Sequence, residues 1–241
     1  AVRRLAEPRA LRDDLIVITF DDGYRGSVRA ALGLADNTIP STVFVATGFV
    51  DGEPLWFDQA RRALAELERT GGALPAKVAH IVGARNPRQF AVERVVHQLK
   101  YAPSRDRSSA VAALVELGLT SGPGAEPATW DELRTLDAAC EAVGCHTVSH
   151  PILSLLDPAE QESEIGRSRQ RLQEQLGREP QLFAYPNGSG RDYDEHTMEI
   201  LGRLGFDAAC TTIRGANRPG RDLLQLRRIG VNVDVVAQDL A

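Results

Sequence analysis

Leu15-Ile16-Val17-Ile18-Thr19-Phe20-Asp21-Asp22-Gly23-Tyr24 is the stretch of this chain that decides the fold. Its first six residues are apolar, aromatic or β-branched, which predicts a strand buried on both faces of a parallel sheet. Asp21 and Asp22 then lie at the carboxyl end of that strand, the edge where α/β proteins build their sites. Gly23 permits a sharp turn that could bring both carboxylates to one pocket. The alternative is an ordinary Asp-Asp-Gly turn that caps the next helix.

Two histidines four positions apart follow a second short apolar segment. His146 and His150 come after Ala142-Val143-Gly144-Cys145 and before Pro151, which prevents a longer helix through that point. A single turn between the strand and the proline puts residues i and i+4 on one side, so both rings can reach one ion. This spacing favours a metal site. A structural role is expected for the remaining histidines, His80, His97 and His196.

The carboxylate pair and the two imidazoles together supply three oxygen or nitrogen ligands and leave one carboxylate free. Zinc suits a mixed Asp/His set, and a catalytic zinc ion keeps an open position for water beside its protein ligands. The free carboxylate can take a proton from that water. The sequence therefore predicts a metal-assisted hydrolase.

These motifs resemble those of the polysaccharide deacetylases, the NodB-like group also called carbohydrate esterase family 4. Thr19-Phe20-Asp21-Asp22-Gly23 and His146-Thr147-Val148-Ser149-His150 look like the first two motifs of the family. Phe183-Ala184-Tyr185-Pro186-Asn187-Gly188 resembles a variant of the third. The resemblance implies an α/β fold, a distorted and incomplete (β/α) barrel of about seven strands. It also implies removal of an acetyl group from an N-acetylated sugar.

The same resemblance assigns a role to individual residues. Asp21 is expected to be the general base, whereas Asp22, His146 and His150 are expected to hold a divalent metal, with zinc preferred. Tyr185 and the adjacent backbone could help to bind the oxyanion, although the metal itself could polarise the carbonyl.

The third motif departs from the family pattern at two positions. Many members carry an arginine there that orients the catalytic aspartate, but this chain has Ala184, and Asn187 stands where an aromatic groove residue is common. Alanine cannot orient a carboxylate, so another arginine must do so. Arg228 is the preferred candidate and Arg227 its alternative; both could instead be ordinary strand-edge arginines.

A late Leu-x-x-His motif supplies a general acid in many relatives, but no histidine follows His196 in this chain. The leaving amine needs a proton, because expelling an unprotonated amide nitrogen is costly. Either Asp21 returns the proton that it accepted, or another residue donates one. Asp192, Asp194 and His196 follow the third motif closely enough to be considered.

The chain is predicted to form a single domain, residues 1–241, with a helical insertion at about residues 51–127. This insertion is longer than a barrel crossover requires, and it could roof the pocket or form a homodimer contact. Strands are predicted at 15–20, 41–45, 142–145, 182–185, 208–212 and 226–231. Helices are predicted at 25–36, 57–70, 87–101, 104–117, 129–142, 158–176 and 193–204.

Composition limits the choice of partners and compartment. A chain of 241 residues with 43% hydrophobic content can bury one core of barrel size. Its net charge of −5 gives no reason to expect nucleic acid as a partner. No apolar run approaches the ~18 residues of a membrane span. Three cysteines are too few for a disulfide framework, which slightly favours the cytoplasm, although a targeting segment could be missing before Ala1.

Three functions are consistent with these patterns. The preferred one is a metal-dependent deacetylase that acts on an aminosugar unit of a glycan, a glycolipid or a small aminosugar compound. A second is a metal-dependent hydrolase of another amide or imide, because the altered third motif leaves the substrate open. A third is a catalytically silent glycan-binding relative, against which Asp21 argues, since a pure binder needs no free carboxylate beside a metal.

Overall fold

A computed structural model describes residues 16–118, 124–140 and 143–231 of the chain. Within these residues six strands form one sheet, with every neighbouring pair parallel and the strand order identical to the chain order. The strands are β1 (Ile18–Phe20), β2 (Ser41–Val45), β3 (Val143–Cys145), β4 (Leu182–Ala184), β5 (Ala208–Arg214) and β6 (Leu226–Arg228). This is the predicted incomplete (β/α) barrel, with six described strands where about seven were expected.

The helices lie between and beyond these strands. They are α1 (Arg25–Asp36), α2 (Thr47–Val50), α3 (Trp56–Thr70), α4 (Ala76–Ile81), α5 (Val92–Lys100), α6 (Ser104–Val115), α7 (Trp130–Cys140), α8 (Pro158–Leu176) and α9 (Glu195–Arg203). The bounds of α1 and α8 agree with the prediction. For α8 the reason is local: Asp157 and Glu160 form a capping box, Pro158 occupies the first turn, and Gly177 ends the helix with φ 72°.

The described residues form two large hydrophobic clusters and a small third one of Ala46, Phe49 and Leu55. The larger one joins the sheet to the barrel helices and includes Val43, Val45, Val143, Phe183 and Ala209 from strands, with Val28, Leu133, Ile165 and Ile200 from helices. The second is built from α3 to α6 and includes Leu64, Leu67, Val95, Leu99 and Leu114. The insertion therefore has apolar contacts of its own rather than being a loose extension of the barrel.

The insertion differs in detail from its prediction. The helix expected over residues 87–101 is confined to α5, and the six-residue helix α4 was not predicted. Pro87 lies in a turn in which the Asn86 side chain accepts a hydrogen bond from the Arg88 backbone at 3.1 Å. Such side-chain bonds to the backbone compete with a helical start. Within the described ranges, no helix has both the length and the apolar character needed to cross a bilayer.

The sheet brings distant segments to one edge. Asp21 and Asp22 follow β1, His146 follows β3, Tyr185 follows β4, and Arg228 ends β6. Because parallel strands end at the same side of the sheet, these residues share the carboxyl edge, where sites of this architecture are built. β1 and β6 are the two edge strands of the sheet, so curling of the sheet brings them towards each other.

Candidate active site and metal centre

The turn after β1 separates the two aspartates. Asp22 and Gly23 both have left-handed backbone angles, with φ 73° and 92°. Gly23 donates a hydrogen bond to the Asp21 carbonyl at 3.0 Å, and the Asp22 carbonyl accepts one from Ala46 after β2 at 3.1 Å. A side chain at Gly23 would approach Val45 to 3.3 Å. The glycine therefore permits the turn that sends the two carboxylates to different neighbours.

The segment between the two histidines is a loop and not the single helical turn that the spacing suggested. Thr147 and His150 have positive φ angles of 66° and 56°, which a right-handed turn excludes. Glu164 of α8 holds the loop by accepting the Val148 and Ser149 amides at 2.9 and 3.0 Å. The predicted proximity is nevertheless present, since the two imidazole centroids are 4.8 Å apart.

His146 is fixed in orientation by the variant third motif. Its side chain is 1% exposed, and its Nδ1 lies 2.7 Å from the carbonyl oxygen of Ala184. When Nδ1–H donates to that carbonyl, Nε2 keeps a free lone pair, the arrangement common to metal-binding histidines. Ala184 thus orients a histidine through its backbone, although its side chain cannot orient a carboxylate.

The Nε2 atom of His146 lies close to one ligand atom each from Asp22 and His150. Asp22 Oδ1 lies 3.5 Å from His146 Nε2 and 3.3 Å from His150 Nε2. Ligand atoms of the three residues all lie within 4.8 Å of one another. Asp22 Oδ1 is buried and has no hydrogen-bond partner among the described residues. A buried carboxylate oxygen facing two imidazoles fits a divalent cation, and the mixed Asp/His set suits zinc.

The protonation of the two rings differs. Burial lowers the pKa of His150 to about 4, so this ring is neutral near pH 7 and offers a lone pair. Burial also opposes the charged form of His146, but the adjacent carboxylates of Asp22 and Asp21 outweigh burial and raise its pKa. A proton and a metal ion therefore compete for His146.

Asp21 has a different partner from Asp22. Arg228 donates two hydrogen bonds to the Asp21 carboxylate, at 2.7 and 2.8 Å, in the bidentate geometry predicted for this pair. Arg228 is itself held by the carbonyl of Thr211 at 2.8 Å and the hydroxyl of Thr19 at 3.2 Å. Arg227, the residue before Arg228 on β6, points outward and is exposed, because successive side chains of a strand lie on opposite faces.

The pKa of the Asp21 carboxyl reflects opposing effects. Burial raises it, but the positive charge of His146 and the hydrogen bonds and charge of Arg228 outweigh burial and hold it below its usual value. Asp21 is therefore ionised at neutral pH. The Arg228 side chain is 15% exposed and that of Asp21 is 30% exposed, so both groups are partly buried and still meet solvent.

Tyr185 does not occupy the position that the sequence suggested. Its ring is fully buried and stacked on Tyr193 at 4.0 Å, and its hydroxyl donates to the Leu224 carbonyl at 2.8 Å. Its backbone N–H donates to the Cys210 carbonyl at 3.0 Å. Both donors are engaged, so the structure does not support the expected contact of Tyr185 with an oxyanion. Burial raises the pKa of its hydroxyl.

The three residues considered as proton donors are engaged elsewhere. The Asp192 carboxylate accepts the Ser189 amide at 2.8 Å and the Tyr101 hydroxyl at 3.1 Å. Asp194 caps α9 by accepting the amide of Thr197. His196 lies on the surface, 3.6 Å from Glu199. The structure therefore supports none of them as the source of a proton for the leaving amine.

Sequence reasoning missed a contact between the insertion and the site. The hydroxyl of Tyr24 donates to Asp58 of α3 at 2.7 Å, and the ring of Phe57 meets the His150 ring edge to face at 5.0 Å. Burial raises the pKa of both Asp58 and Tyr24. Two adjacent aromatic residues, Trp56 and Phe57, lie at the start of the insertion. This pair is the sequence signal that could have identified the contact between the insertion and the site.

Comparison with known proteins agrees with this fold. The family model described as polysaccharide deacetylase matches residues 9–209. The structure is similar to IcaB from Ammonifex degensii, with a TM-score of 0.61, 23% identity and coverage of 99% of this chain and 76% of that one. It is also similar to the Streptococcus pyogenes deacetylase PplD, solved in complex with acetate, with a TM-score of 0.59, 19% identity and coverage of 95% and 70%. These similarities show a shared fold.

A curated relative matches over a shorter region. YxkH of Bacillus subtilis (strain 168) is 26% identical over 104 residues, which are 43% of this chain. The match spans 36% of that relative, so the chain covers about a third of its length.

Proposed function

We propose that this chain, which belongs to the polysaccharide deacetylase family, removes the acetyl group from an N-acetylated aminosugar with the help of a divalent metal, preferably zinc. The aminosugar is a unit of a glycan, a glycolipid or a small aminosugar compound. One observation carries the proposal: an ionised carboxylate paired with arginine, Asp21 with Arg228, lies beside a second carboxylate that faces two imidazoles.

Asp22, His146 and His150 would hold the metal. The observation that supports this fit is the buried Asp22 Oδ1, which has no hydrogen-bond partner among the described residues and faces both Nε2 atoms. A zinc ion bound there would polarise the acyl carbonyl and lower the pKa of a water molecule.

The role of Asp21 in this proposal is to move one proton. Its carboxylate accepts a proton from water as the water oxygen attacks the acetyl carbon. Arg228 binds both carboxylate oxygens, which limits Asp21 to one orientation, and each oxygen keeps a further lone pair for the proton. The carbon–nitrogen bond then breaks, and the products are acetate and the free amine.

The same residue can complete the reaction. Because Arg228 lowers the pKa of Asp21, the protonated form of Asp21 is a stronger acid than an unpaired aspartic acid. It can therefore return the proton to the leaving nitrogen, and no separate donor is required. This agrees with the absence of histidine after His196 and with the engagement of Asp192 and Asp194 elsewhere.

A second candidate is a metal-dependent hydrolase of another amide or imide. Ala184 and Asn187 in the third motif favour it, because they stand where the family commonly has an arginine and a groove aromatic. A catalytically silent glycan-binding protein is less consistent with the site, since binding alone requires no arginine-paired carboxylate.

The test combines metal analysis with acetate release. Purified protein is assayed for bound zinc and then for acetate released from N-acetylglucosamine oligomers, with Asp21→Asn as the inactive control. Zinc at one equivalent and acetate release that the control lacks would support the proposal. Bound zinc without acetate from any acetylated sugar would favour the amide or imide hydrolase. The absence of both bound zinc and released acetate would favour the silent relative.

A further inference from the structure

We infer that a cavity between the insertion and the barrel binds an oxyanion, a carboxylate or a phosphate, carried by the substrate beside the unit that is deacetylated. The cavity has a volume of about 160 Å³. This exceeds the ~10–15 Å³ that one water molecule requires. Its walls come from the start of α3, the start of α6 and the loop between the two histidines. The link to the substrate rests on the proposed function; the anion site itself rests on the contacts that follow.

A buried cation lines this cavity. Arg107 of α6 is 6% exposed, and its guanidinium lies 5.2 Å from the ring of Trp56 and 3.4 Å from the carbonyl of Lys100. Within the part of the chain that the structure describes, no carboxylate lies within 4.0 Å of it. Arginine stays charged when it is buried, and a buried charge is costly unless it is paired. The charge of Glu164 favours the charged form of Arg107 without a direct ion pair between them, so a negative group bound in the cavity would supply the direct partner that the guanidinium does not have.

A donor of Trp56 in this cavity has no hydrogen-bond partner. The Nε1–H of Trp56, which lines the same cavity, is buried and has no acceptor among the described residues. An unpaired buried N–H costs about 1–3 kcal/mol. Because Trp56 and Arg107 come from different helices, the Trp56 N–H and the Arg107 guanidinium meet only in the folded insertion.

Two helix starts border the cavity as well. Neither α3 at Trp56 nor α6 at Ser104 has a side-chain cap, although Asp58 and Asp106 lie in their first turns and the Asp58 amide donates to the Leu55 carbonyl at 3.1 Å. Helix N-termini favour negative charge, which adds to the effect of Arg107. Two carboxylates lie nearby. Glu53 is an exposed residue that also lines the cavity, and Glu164 accepts the Val148 and Ser149 amides.

The position of the cavity points to the substrate. Val148 and Ser149, which form one wall, lie between the histidines of the metal centre, and Phe57 next to Trp56 contacts His150. A ligand whose anionic group meets Arg107 therefore lies next to the metal centre. Acidic sugars and sugar phosphates carry such a group on a unit close to an N-acetylated one.

The test measures binding of inorganic phosphate and of glucuronate to purified protein by calorimetry, with neutral N-acetylglucosamine as a competitor. We expect saturable binding of at least one anion and no competition by the neutral sugar. In Arg107→Gln the affinity for the anion should fall by about 10-fold or more, because a charge-assisted hydrogen bond is lost. Binding of phosphate but not glucuronate would indicate a substrate that carries a phosphate. Binding of glucuronate but not phosphate would indicate a substrate that contains an acidic sugar.

Matched controls are available in the same chain. Arg171 lies over the ring of Trp130 at 5.3 Å, as Arg107 does over Trp56, but it is paired with Asp51. Arg171→Gln and Trp130→Phe should leave anion binding unchanged. Trp56→Phe, which removes the indole N–H and leaves a smaller aromatic ring beside Arg107, should weaken it. If Arg107→Gln fails to fold by circular dichroism, Trp56→Phe decides the question.

Two outcomes would overturn the inference: no saturable binding of either anion, or equal affinity in the wild type and the folded Arg107 and Trp56 variants. Its failure is separable from failure of the proposed function, because anion binding is measured without turnover. Acetate release without anion binding would reject the cavity alone, and anion binding without acetate release would reject only its assignment to an acetylated substrate.

Discussion

Replacement of Arg228 by lysine tests the central contact of the site. Lysine keeps the positive charge but lacks the planar fork that makes two hydrogen bonds to Asp21, at 2.7 and 2.8 Å. It also loses the bond from Arg228 Nε to the Thr211 carbonyl at 2.8 Å. One charge-assisted hydrogen bond contributes about 1.5–3 kcal/mol, so loss of the second bond to Asp21 should lower kcat by about 10- to 150-fold.

The pH profile adds a readout that a general loss of structure would not produce. Arg228 holds the pKa of Asp21 down, so weakening the pair raises that pKa. The reaction requires the ionised carboxylate, and the acidic limb of the kcat/KM profile should therefore move to higher pH in Arg228→Lys.

The assay compares acetate release from N-acetylglucosamine oligomers with zinc content and melting temperature. Zinc content and folding should remain close to normal, because neither a metal ligand nor a core residue is removed. Arg227→Lys is the matched control, since Arg227 is exposed on the same strand. An unchanged rate and pH profile in Arg228→Lys would refute the reasoning, and the same defect in Arg227→Lys alone would assign the role to the neighbour.

Four further predictions address the site. Asp21→Asn should retain zinc and fold but lose about 10²-fold or more in turnover, because the amide cannot accept the proton; loss of zinc in this variant would mean that the two aspartates have exchanged roles. His146→Ala should remove most of the bound zinc, measured by elemental analysis, and one full equivalent in that variant would contradict the ligand assignment. Zinc retained after dialysis should fall as the pH drops through the raised pKa of His146, because protons then occupy the ring; retention that is flat from neutral to acidic pH would argue against competition at this histidine. Tyr185→Phe should leave kcat within about twofold and cost about 1–2 kcal/mol of unfolding free energy, since it deprives the Leu224 carbonyl of its donor; a large loss of kcat at normal stability would restore a direct role in turnover.

Local sequence determined much of the barrel. The β-branched run of β2 predicts a strand buried on both faces, and all five of its residues are buried. The same prediction for the segment before Asp21 is wrong: β1 covers only Ile18–Phe20, its residues are half-buried, and Ile16 and Val17 are exposed, because β1 lies at one end of the strand order. The Asp157-to-Gly177 segment contains its own start and stop signals, which is why the bounds of α8 follow from the sequence. By contrast, α4 is only six residues long and has no side-chain cap, so its helical state depends on packing within the insertion.

The loop between the histidines shows a different limit. Spacing alone predicted that the two rings are close, and they are, but it suggested a helical turn. The left-handed angles of Thr147 and His150 are unfavourable for residues other than glycine, and the hydrogen bonds from this loop to Glu164 stabilise them. Those bonds come from a helix that follows later in the chain, so the local pattern could not reveal them.

The sequence by itself determined which residue types stand at the strand ends, and hence the candidate chemistry of Asp21, Asp22 and the two histidines. Only the tertiary structure decided which arginine reaches Asp21, that Tyr185 is packed away from the site, and that Arg107 and Trp56 border one cavity. The physical reason is that these contacts join positions as far apart as 207 residues. The pattern of a strand shows that its side chains alternate between two faces. The curl of the sheet then decides which face of β6 points towards the end of β1, and hence that Arg228 contacts Asp21.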